Sequence, residues 1–472
     1  MKYIYHEEKG CLFMKKEKQD LARGLKNRHV QLISIGGAIG TGLFLGSGKS
    51  IQLAGPSILL AYAIMGGICF LIMRALGELL LSNTKHHSFI DFIAEYLGVK
   101  AAFVTGWTYW FCWIAIAMAD LTAIGTYIHY WLPHVPNWLP ELIALALLIA
   151  FNLIAVSLFG ELEFWFALIK VIAIIALIAI GIFMIATRFH TEQGVVSLSN
   201  LWTHGGFFAA GPKGFILSFQ MVTFAFAGVE LVGLVAGETK DPEHVLPKAI
   251  NNIPIRIILF YIGALAVIMS IYPWNSMDAN QSPFVQVFSE IGIMAAATII
   301  NVVVLSSAAS ACNSAIYSTG RMLRSLSIEG NAPKLFNKLT SHKVPARSIF
   351  FSAAVIMLAI ILNYIMPAGV FVLVTSVATT CFLFIWSMIV IAHLRYKKTI
   401  QGKQSHTFKM PLYPLANYLV LIFMAFIAFV LLLQKETREA LLFAPVWFIL
   451  LLVVYHFRFE RKGVTIKETE KL

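Results

Sequence analysis

A single lysine lies inside a long apolar run, where it could carry a proton or take the place of a bound cation. Lys170 is flanked by residues 164–169 and 171–172, all apolar, and it lies about 14 Å into a segment that begins near residue 161. A lysine at the centre of a membrane helix costs roughly 2.5–3.5 kcal/mol, so it must be paired, hydrated or deprotonated. Three interpretations stay open: a proton carrier, a fixed cation in the place of sodium, and a structural ion pair with Glu230 as candidate partner.

Four glycines fall within seven residues of another apolar run. Residues 36–42 read Gly-Gly-Ala-Ile-Gly-Thr-Gly, and Gly40 would lie about 16 Å deep in a span that begins near residue 29. Glycine weakens a helix, and irregular backbone at bilayer depth survives only where it is buried in protein or lines a wet cavity. The stretch predicts either a close helix-packing seam or a helix break whose N–H groups bind an anion such as a carboxylate.

A later apolar run, near residues 213–237, contains a second irregular stretch. Residues 224–230 read Phe-Ala-Phe-Ala-Gly-Val-Glu, and a helix broken here would free carbonyl oxygens that suit an ammonium group. The two breaks together would offer N–H groups for a carboxylate and C=O groups for an amine, which matches the backbone of a free amino acid. A flexible helix lined by aromatic residues is the alternative.

Other acids and bases in or beside the apolar runs give weaker signals. Asp120, Glu163 and Glu238 could act as gates or proton steps, although structural pairing is the commoner role. Arg74 and Glu78 are four residues apart, so we expect them to pair with each other or with a loop. Because no HExxH spacing or GxSxG elbow occurs and the five cysteines are scattered, the sequence predicts no enzyme, no metal site and no bound cofactor.

The composition places these residues in a membrane protein. Of 472 residues, 59% are hydrophobic and 13% are charged, which is about half the charge of an ordinary soluble protein. Apolar runs of about 20 residues or more predict twelve transmembrane helices, at 29–53, 56–81, 98–129, 138–158, 161–187, 213–237, 249–272, 284–318, 347–365, 368–394, 412–433 and 440–459. An even number of spans places both termini on one side of the bilayer.

Lysine and arginine indicate which side that is. Most of the 36 Lys and Arg residues precede the first span, follow the last, or lie at loops on the side of the termini. The other side holds Lys49, Arg188, Lys213, Lys435 and Arg438, so the positive-inside rule puts both termini in the cytoplasm. This asymmetry explains the net charge of +12 by the lipid bilayer, without a nucleic-acid partner.

The spacing of the two suspected breaks has a topological meaning. They fall in the first and sixth spans, five helices apart, so equivalent helices in the two halves would run in opposite directions. That arrangement is typical of inverted-repeat transporters, which bind their substrate near the membrane midplane.

Several motifs resemble bacterial amino acid permeases of the amino acid–polyamine–organocation superfamily. The resemblance rests on residues 21–29, 34–44 (Ser-Ile-Gly-Gly-Ala-Ile-Gly-Thr-Gly-Leu-Phe), 74–78, 226–230, 237–243 and 253–256. It covers roughly residues 21–460. Within the family, residues 107–113, 118–120 and 159–167 look closest to permeases for D-serine, D-alanine and glycine.

The resemblance implies a fold and an activity. The fold is an all-α polytopic membrane protein with 12 transmembrane helices, a 5+5 inverted repeat with broken helices 1 and 6, and two C-terminal helices. The cytoplasmic N-terminal segment would be 1–28, and the two repeats 29–187 and 188–394. The two further helices would lie within 395–459, and the cytoplasmic tail would be 460–472. The activity is proton-coupled uptake, or symport, of small neutral amino acids across the cytoplasmic (inner) membrane by alternating access.

The resemblance also implies roles for individual residues. The amides of Gly40, Thr41 and Gly42 would bind the substrate carboxylate. The substrate ammonium group would bind to the carbonyls of Ala38, Phe224, Ala225 and Ala227. Phe224 matches an aromatic gate. Lys170 matches a lysine that occupies the sodium site of related carriers, and Glu230 is a second candidate for proton coupling.

Other functions stay open from the sequence. The substrate could be L-proline, β-alanine or another neutral amino acid carried by the same machinery. A membrane receptor that binds amino acids and signals is a different class, and the lack of an appended signalling domain speaks against it. A membrane-embedded enzyme is disfavoured because no paired nucleophile and base occurs.

Overall fold

The computed structural model of the chain describes residues 2–8, 11–17, 39–83, 86, 88–154, 159–191, 193–230, 242–279, 281–290, 294–340, 344–366, 369–400 and 408–460. Near the N-terminus, strands β1 (Lys2–Glu8) and β2 (Cys11–Glu17) pair antiparallel, with Lys2 opposite Glu17. Most of the remaining described residues are helical, as the apolar runs predict.

The first two predicted spans form three helices. They are α1 (Thr41–Phe44), α2 (Gly46–Ala54) and α3 (Ile58–Ser82). A short turn at Gly55–Ser57 separates α2 from α3, and its first residue has φ 60°, a left-handed conformation that glycine adopts without steric cost. The turn lies at the boundary predicted between residues 53 and 56.

Four helices follow, namely α4 (Phe89–Leu97), α5 (Val99–His129), α6 (Trp138–Ile154) and α7 (Phe159–Ala186). Helix α4 is absent from the predicted spans because its 9 residues are too few to cross a bilayer. It begins with a capping box: the Ile90 N–H donates to Ser88 Oγ at 3.2 Å, and the Ser88 N–H donates to Asp91 Oδ2 at 3.2 Å. These bonds satisfy amides at the helix N-terminus.

In the sixth predicted span the helix ends early. It is preceded by a hairpin of β3 (His190–Thr191) and β4 (Gly194–Val195), and by the short helix α8 (Asn200–Thr203). Helix α9 (Gly211–Ala225) then ends inside the span predicted at 213–237. Gly228, in the turn that follows, has φ 86°. Helix α9 therefore ends where the break was predicted, at residues 224–230, and residues 231–241 lie outside the described ranges.

The next helical segment changes its winding. Helices α10 (Pro242–Asn251) and α11 (Ile253–Arg256) lead into a π-helical stretch at Ile257–Gly263 and then into α12 (Ala264–Ile271). π-Helical turns are rare and occur frequently at functional sites. After a 3₁₀ turn at Trp274–Ser276, helices α13 (Pro283–Glu290) and α14 (Met294–Ile328) cover the eighth predicted span and extend beyond its predicted end at 318.

Further helices follow a 3₁₀ turn at Lys334–Asn337. They are α15 (Ala346–Ile356), α16 (Leu358–Ile365), α17 (Val370–Ile400), α18 (Leu415–Leu433) and α19 (Lys435–Tyr455). A π-helical turn at His456–Glu460 ends the described part.

Within the described ranges, 9 helical segments are long and apolar enough to cross a membrane. One of them, Gly46–Ser82, contains the turn that separates α2 from α3. Helix α9 is not among them, because its 15 residues are too few to cross a membrane. The architecture is that of a polytopic helical membrane protein. The count of twelve spans and the inverted repeat stay predictions.

Helix α5 occupies the interior of this bundle. Of its most apolar stretch 83% is buried, against 17% for the last apolar segment, Lys435–Phe459, and α5 packs against both α14 and α17. Peripheral helices instead expose large apolar side chains, such as Phe183 on α7 and Phe443 on α19, as lipid-facing helices do. Polar residues on α5 are therefore held in the protein interior.

Candidate functional site

Open space within the described residues adjoins the predicted first break, by which we mean Gly40 and the start of α1. Gly40 has an extended backbone, with φ −128° and ψ −164°, and α1 begins at the next residue, Thr41. Amides in the first turn of a helix have no acceptor within it, so those of Thr41 and Gly42 need one from elsewhere. Apart from the chain neighbours of Gly40, no heavy atom of the described residues lies within 4 Å of a Cβ built on it.

The second break is a tight turn at the end of α9. The Phe226 N–H donates to the Thr223 carbonyl at 3.1 Å, and the Ala227 N–H donates to the Phe224 carbonyl at 2.9 Å. A carbonyl oxygen has two lone pairs, so the turn still leaves the Phe224 carbonyl able to accept from a second donor.

The two breaks lie against each other. A Cβ built on Gly42 would be 2.6 Å from Ala225 Cα, and one built on Gly46 would be 2.6 Å from Met221 Sδ. A Cβ on Gly42 would meet backbone, which cannot move aside, whereas one on Gly46 would meet the flexible end of the Met221 side chain. Gly42 therefore allows α1 to approach α9 closely. The glycine stretch thus combines packing at Gly42 with open space at Gly40. The predicted site residue Ala38 lies outside the described residues.

Tyr261 supports the second break, although nothing in the sequence marks it as a site residue. Its hydroxyl donates to the Ala225 carbonyl at 3.0 Å, and its ring stacks on Phe226 at 5.0 Å and 7°. Tyr261 lies in the π-helical stretch Ile257–Gly263. One lone pair of the Ala225 carbonyl, a predicted acceptor for the substrate ammonium, is therefore already in use. Sequence hydropathy contains no signal for this contact.

A hydrogen bond joins the first break to a buried acid. Thr41 Oγ1 donates to Asp120 Oδ1 at 2.7 Å, and both side chains are buried. Asp120 Oδ2 has no hydrogen-bond partner in the part of the chain that the structure describes. Because Thr41 is the first residue of α1 and Asp120 lies on the interior helix α5, the bond ties the break to the centre of the bundle.

Lys170 lies beside two acids. It is 1% exposed, and the carboxylates of Glu163 and Asp120 act on its ammonium group electrostatically. Glu163 and Lys170 are two turns apart on α7 and so share a face. Glu163 Oε2 accepts from Ser310 Oγ at 2.8 Å and from Ser314 Oγ at 3.1 Å, which connects this cluster to α14. Thr41, Asp120, Lys170 and Glu163 form what we call the buried charge cluster.

Glu230 accepts a hydrogen bond from a residue of α5. It is fully buried, and its Oε1 accepts from the Tyr109 hydroxyl at 3.4 Å. Oε2 has no hydrogen-bond partner among the described residues. Glu163 and Asp120 are the acids that act on Lys170 electrostatically, and the pairing of Lys170 with Glu230 stays a prediction. The turn after α9 directs Glu230 towards Tyr109 on α5.

Phe224, at the end of α9, makes an aromatic contact with another helix. The ring of Phe224 meets that of Phe371, near the start of α17, edge to face at 6.4 Å. One turn before Phe224 on α9, Gln220 Nε2 donates at 3.5 Å to Oγ1 of Thr375, which lies one turn after Phe371 on α17. These contacts connect α9 to α17. The other possible gate, Glu238, lies outside the described residues.

Comparison with known proteins shows what kind of molecule contains this site. The profile of the amino acid permease family matches residues 29–467. An uncharacterized transporter of Bacillus subtilis (strain 168), YdgF, is 65% identical over 441 residues, which cover 93% of this chain and 96% of the relative. The amino-acid permease AapA of the same strain is 62% identical over 452 residues, covering 96% and 98%. The D-serine/D-alanine/glycine transporter of Escherichia coli (strain K12) is 49% identical over 439 residues, covering 92% and 93%.

Many apolar helices around two adjacent breaks and a buried charge cluster define a multi-pass membrane transporter. The family match and the identities, which extend over nearly the whole length, make the assignment specific. The chain belongs to the amino acid permease family. Its relatives are transporters, so this protein is a permease and not an enzyme.

Proposed function

We propose that the protein is a secondary active transporter that takes up small neutral amino acids together with protons across the cytoplasmic (inner) membrane. The observation that carries this proposal is the hydrogen bond of 2.7 Å from Thr41 Oγ1 to Asp120. It connects the residue that starts α1, where a substrate carboxylate would bind, to an acid that acts on the buried ammonium of Lys170. Substrate binding and protonation would therefore affect each other directly.

In this proposal backbone groups bind the substrate. The carboxylate accepts from the amides of Gly40, Thr41 and Gly42, at the positive end of the α1 dipole. Support comes from the open space beside Gly40, where no side chain of the described residues blocks a ligand from these amides.

The substrate ammonium would donate to carbonyls of both breaks, from Ala38, Phe224, Ala225 and Ala227. The Ala225 carbonyl already accepts from Tyr261, so it would offer its second lone pair. Tyr261 would then orient this carbonyl rather than contact the substrate.

The buried charge cluster would carry the proton. Two acids, Asp120 and Glu163, face one base, Lys170, and an unbalanced charge is costly inside a membrane. A proton that joins the cluster balances the charges, and a proton that leaves unbalances them. Glu230, which lies under the second break with one unpartnered oxygen, is the second candidate for a proton step.

The transport cycle would be alternating access around this site. We propose twelve helices with both termini in the cytoplasm, repeats at 29–187 and 188–394, and two C-terminal helices within 395–459. Phe224 would gate the site together with Phe371, whose ring it meets, and Glu238 is a further gate candidate. The segments 1–28 and 460–472 would lie in the cytoplasm.

Glycine, D-alanine and D-serine are the proposed substrates, since a relative named as their transporter is 49% identical. A competition panel in proteoliposomes tests this choice. Unlabelled D- and L-amino acids, L-proline and β-alanine compete with radiolabelled glycine, and stronger competition by L-proline or β-alanine than by D-alanine and D-serine would reassign the substrate. Binding without any net uptake would favour an amino-acid receptor.

The coupling ion is tested in the same vesicles. We expect an inward proton gradient to drive accumulation without sodium, and a strict sodium requirement would contradict the proposal. Lys170→Ala should lose pH-driven accumulation while it keeps exchange of labelled for unlabelled substrate, which shows that the variant is folded. Unchanged pH dependence in a variant that still exchanges would remove Lys170 from the mechanism.

A further inference from the structure

A buried acid at one end of the bundle takes no part in the proposed transport site. Glu141 lies in the first turn of α6 and is 0% exposed. Asn363 Nδ2, on α16, donates to Glu141 Oε2 at 2.9 Å and to Thr122 Oγ1, on α5, at 3.0 Å. One amide group therefore links this carboxyl to two further helices, near the end of the bundle where α5 finishes and α6 begins.

The other oxygen of this carboxyl lies where a side chain at position 125 would otherwise be. Glu141 Oε1 has no hydrogen-bond partner among the described residues. A Cβ built on Gly125 would lie 2.5 Å from Oε1 and 3.1 Å from the Asn137 carbonyl oxygen. Glycine at 125 thus makes room for the carboxyl, and a carbonyl acceptor borders the same small space.

The surroundings offer nothing that would balance a negative charge. In the described ranges Glu141 forms no ion pair. The N–H groups at the start of α6 do not donate to this carboxyl either. Those of Leu139 and Glu141 donate to the carbonyls of Pro136 and Asn137, and Pro140 has no N–H. An ionised carboxylate that is buried with a single neutral donor pays a large desolvation cost.

We propose that Glu141 is a second proton-binding site, separate from the buried charge cluster, and that its neutral carboxyl group holds the ends of α5, α6 and α16 together. A protonated carboxyl has one O–H donor and keeps acceptor capacity on its other oxygen. Oε2 continues to accept from Asn363, and the Oε1–H donates towards the Asn137 carbonyl. Loss of the proton leaves a buried, unpaired charge at the junction of three helices.

Few other titratable side chains adjoin this junction in the described part of the chain. On α5 they are Asp120, which is bonded to Thr41, Tyr127, which is buried, and His129, which is exposed. The turn between α5 and α6 adds Tyr130, which is half-buried, and His134, which is exposed, and α16 adds Tyr364, which is exposed. None of them forms an ion pair with Glu141, so the proton of Glu141 is set by its own burial and by Asn363.

The test is the pH dependence of thermal unfolding of the purified full-length protein, measured for the wild type and Glu141→Gln. Glutamine has nearly the same shape and stays neutral, so we expect it to fold and to match the wild type at about pH 5. Towards about pH 9 the wild type should lose thermal stability relative to Glu141→Gln, because its carboxyl ionises when the protein unfolds and thus favours the unfolded state. Glu439→Gln, which removes an exposed acid on α19, should follow the wild-type profile.

Two outcomes would overturn the proposal. One is a Glu141→Gln variant that fails to fold or that is less stable than the wild type throughout this pH range, since the carboxylate would then be needed in its ionised form. The other is a wild-type infrared spectrum at neutral pH that lacks a protonated-carboxyl band sensitive to Glu141→Gln. The result is independent of transport, because neither measurement involves a substrate or a proton gradient.

Discussion

Thr41 contributes a backbone group and a side-chain group to the candidate site. Its backbone N–H lies in the first turn of α1, and its hydroxyl donates to Asp120 at 2.7 Å. In the proposed function, a ligand bound to this backbone N–H would therefore also affect an acid that acts electrostatically on Lys170. In a low-dielectric interior such a link between groups is strong, which gives the proposed coupling a physical basis at the scale of one residue.

Gly40 provides the sharpest test at this scale. Its backbone has negative φ and the space beside it is open, so Gly40→Val should be compatible with the fold and should place its side chain where the substrate is proposed to bind. We expect the loss of at least about 3 kcal/mol of binding free energy, the cost of leaving several polar groups unpaired. Equilibrium binding of labelled glycine to the purified protein measures it.

The matched control is Gly67→Val on α3. This glycine also has open space around it, but it is exposed on the outside of the bundle, so the same substitution should leave binding unchanged. Normal binding by Gly40→Val would mean that the open space is not the substrate site and that residues 36–42 serve packing alone.

At the scale of elements, a polar contact fastens α3 to α17 and to the segment before α18. Glu78 accepts from Lys397 Nζ at 2.8 Å, from the Met410 N–H at 2.7 Å and, at 3.0 Å, from His393 Nε2. His393 Nδ1 in turn lies 3.0 Å from Asn417 Nδ2 on α18. Three separate parts of the chain thus meet at one carboxylate that is 2% exposed.

Arg74, one turn earlier on α3, binds the same region. It donates to Asn251 Oδ1 at 3.0 Å and to the Lys409 carbonyl, and its guanidinium lies 3.8 Å above the ring of Phe408. Arg74 and Glu78 were expected to pair with each other or with a loop. The structure shows the loop, residues 408–410, as the partner of both.

Removal of this contact should destabilise the protein. Glu78→Gln leaves the Lys397 ammonium, which is 20% exposed, without its carboxylate, and the loss of a hydrogen bond between charged groups costs about 1–3 kcal/mol. We expect a clear fall in the midpoint of thermal unfolding. Glu95→Gln is the matched control, because its pair with His86 at 2.7 Å is partly exposed and such pairs contribute about 0–1 kcal/mol. Equal effects of the two substitutions would show that Glu78 adds no more than a surface pair.

At the scale of the whole molecule, the distribution of exposed side chains separates lipid-facing from interior helices. Large apolar residues are exposed along α7 and α19, whereas hydroxyls, acids and the buried lysine lie inside around α5. A bilayer favours this arrangement because apolar surface costs nothing there and every buried polar group needs a partner. The orientation of the molecule then depends on which ends carry lysine and arginine.

That orientation can be measured with single cysteines. Lys398, at the end of α17, and Lys435, at the start of α19, are both exposed. We expect a membrane-impermeant maleimide to label Lys435→Cys in intact cells and Lys398→Cys only after the cells are opened. The background is Cys11→Ser, since the other four cysteines are buried. The opposite labelling pattern would invert the topology.

The sequence by itself determined the class of protein, the approximate spans and the location of the break after α9. These features depend on local quantities: the transfer free energy of each side chain and the conformational freedom of glycine. For the same reason the sequence selected Lys170, Asp120 and Glu230, since an ionisable group in an apolar run is conspicuous wherever it is later placed.

Only the tertiary structure decided which of these residues meet. Thr41 and Asp120 are 79 positions apart, Tyr261 and Ala225 are 36 apart, and Asn363 and Glu141 are 222 apart. Contacts at such separations depend on how helices pack, turn and rotate against each other, which hydrophobic periodicity does not specify. Glu163 shares a helix with Lys170, but Asp120 on α5 acts on Lys170 only because of packing between helices, although the burial of Lys170 was already evident from the residues around it.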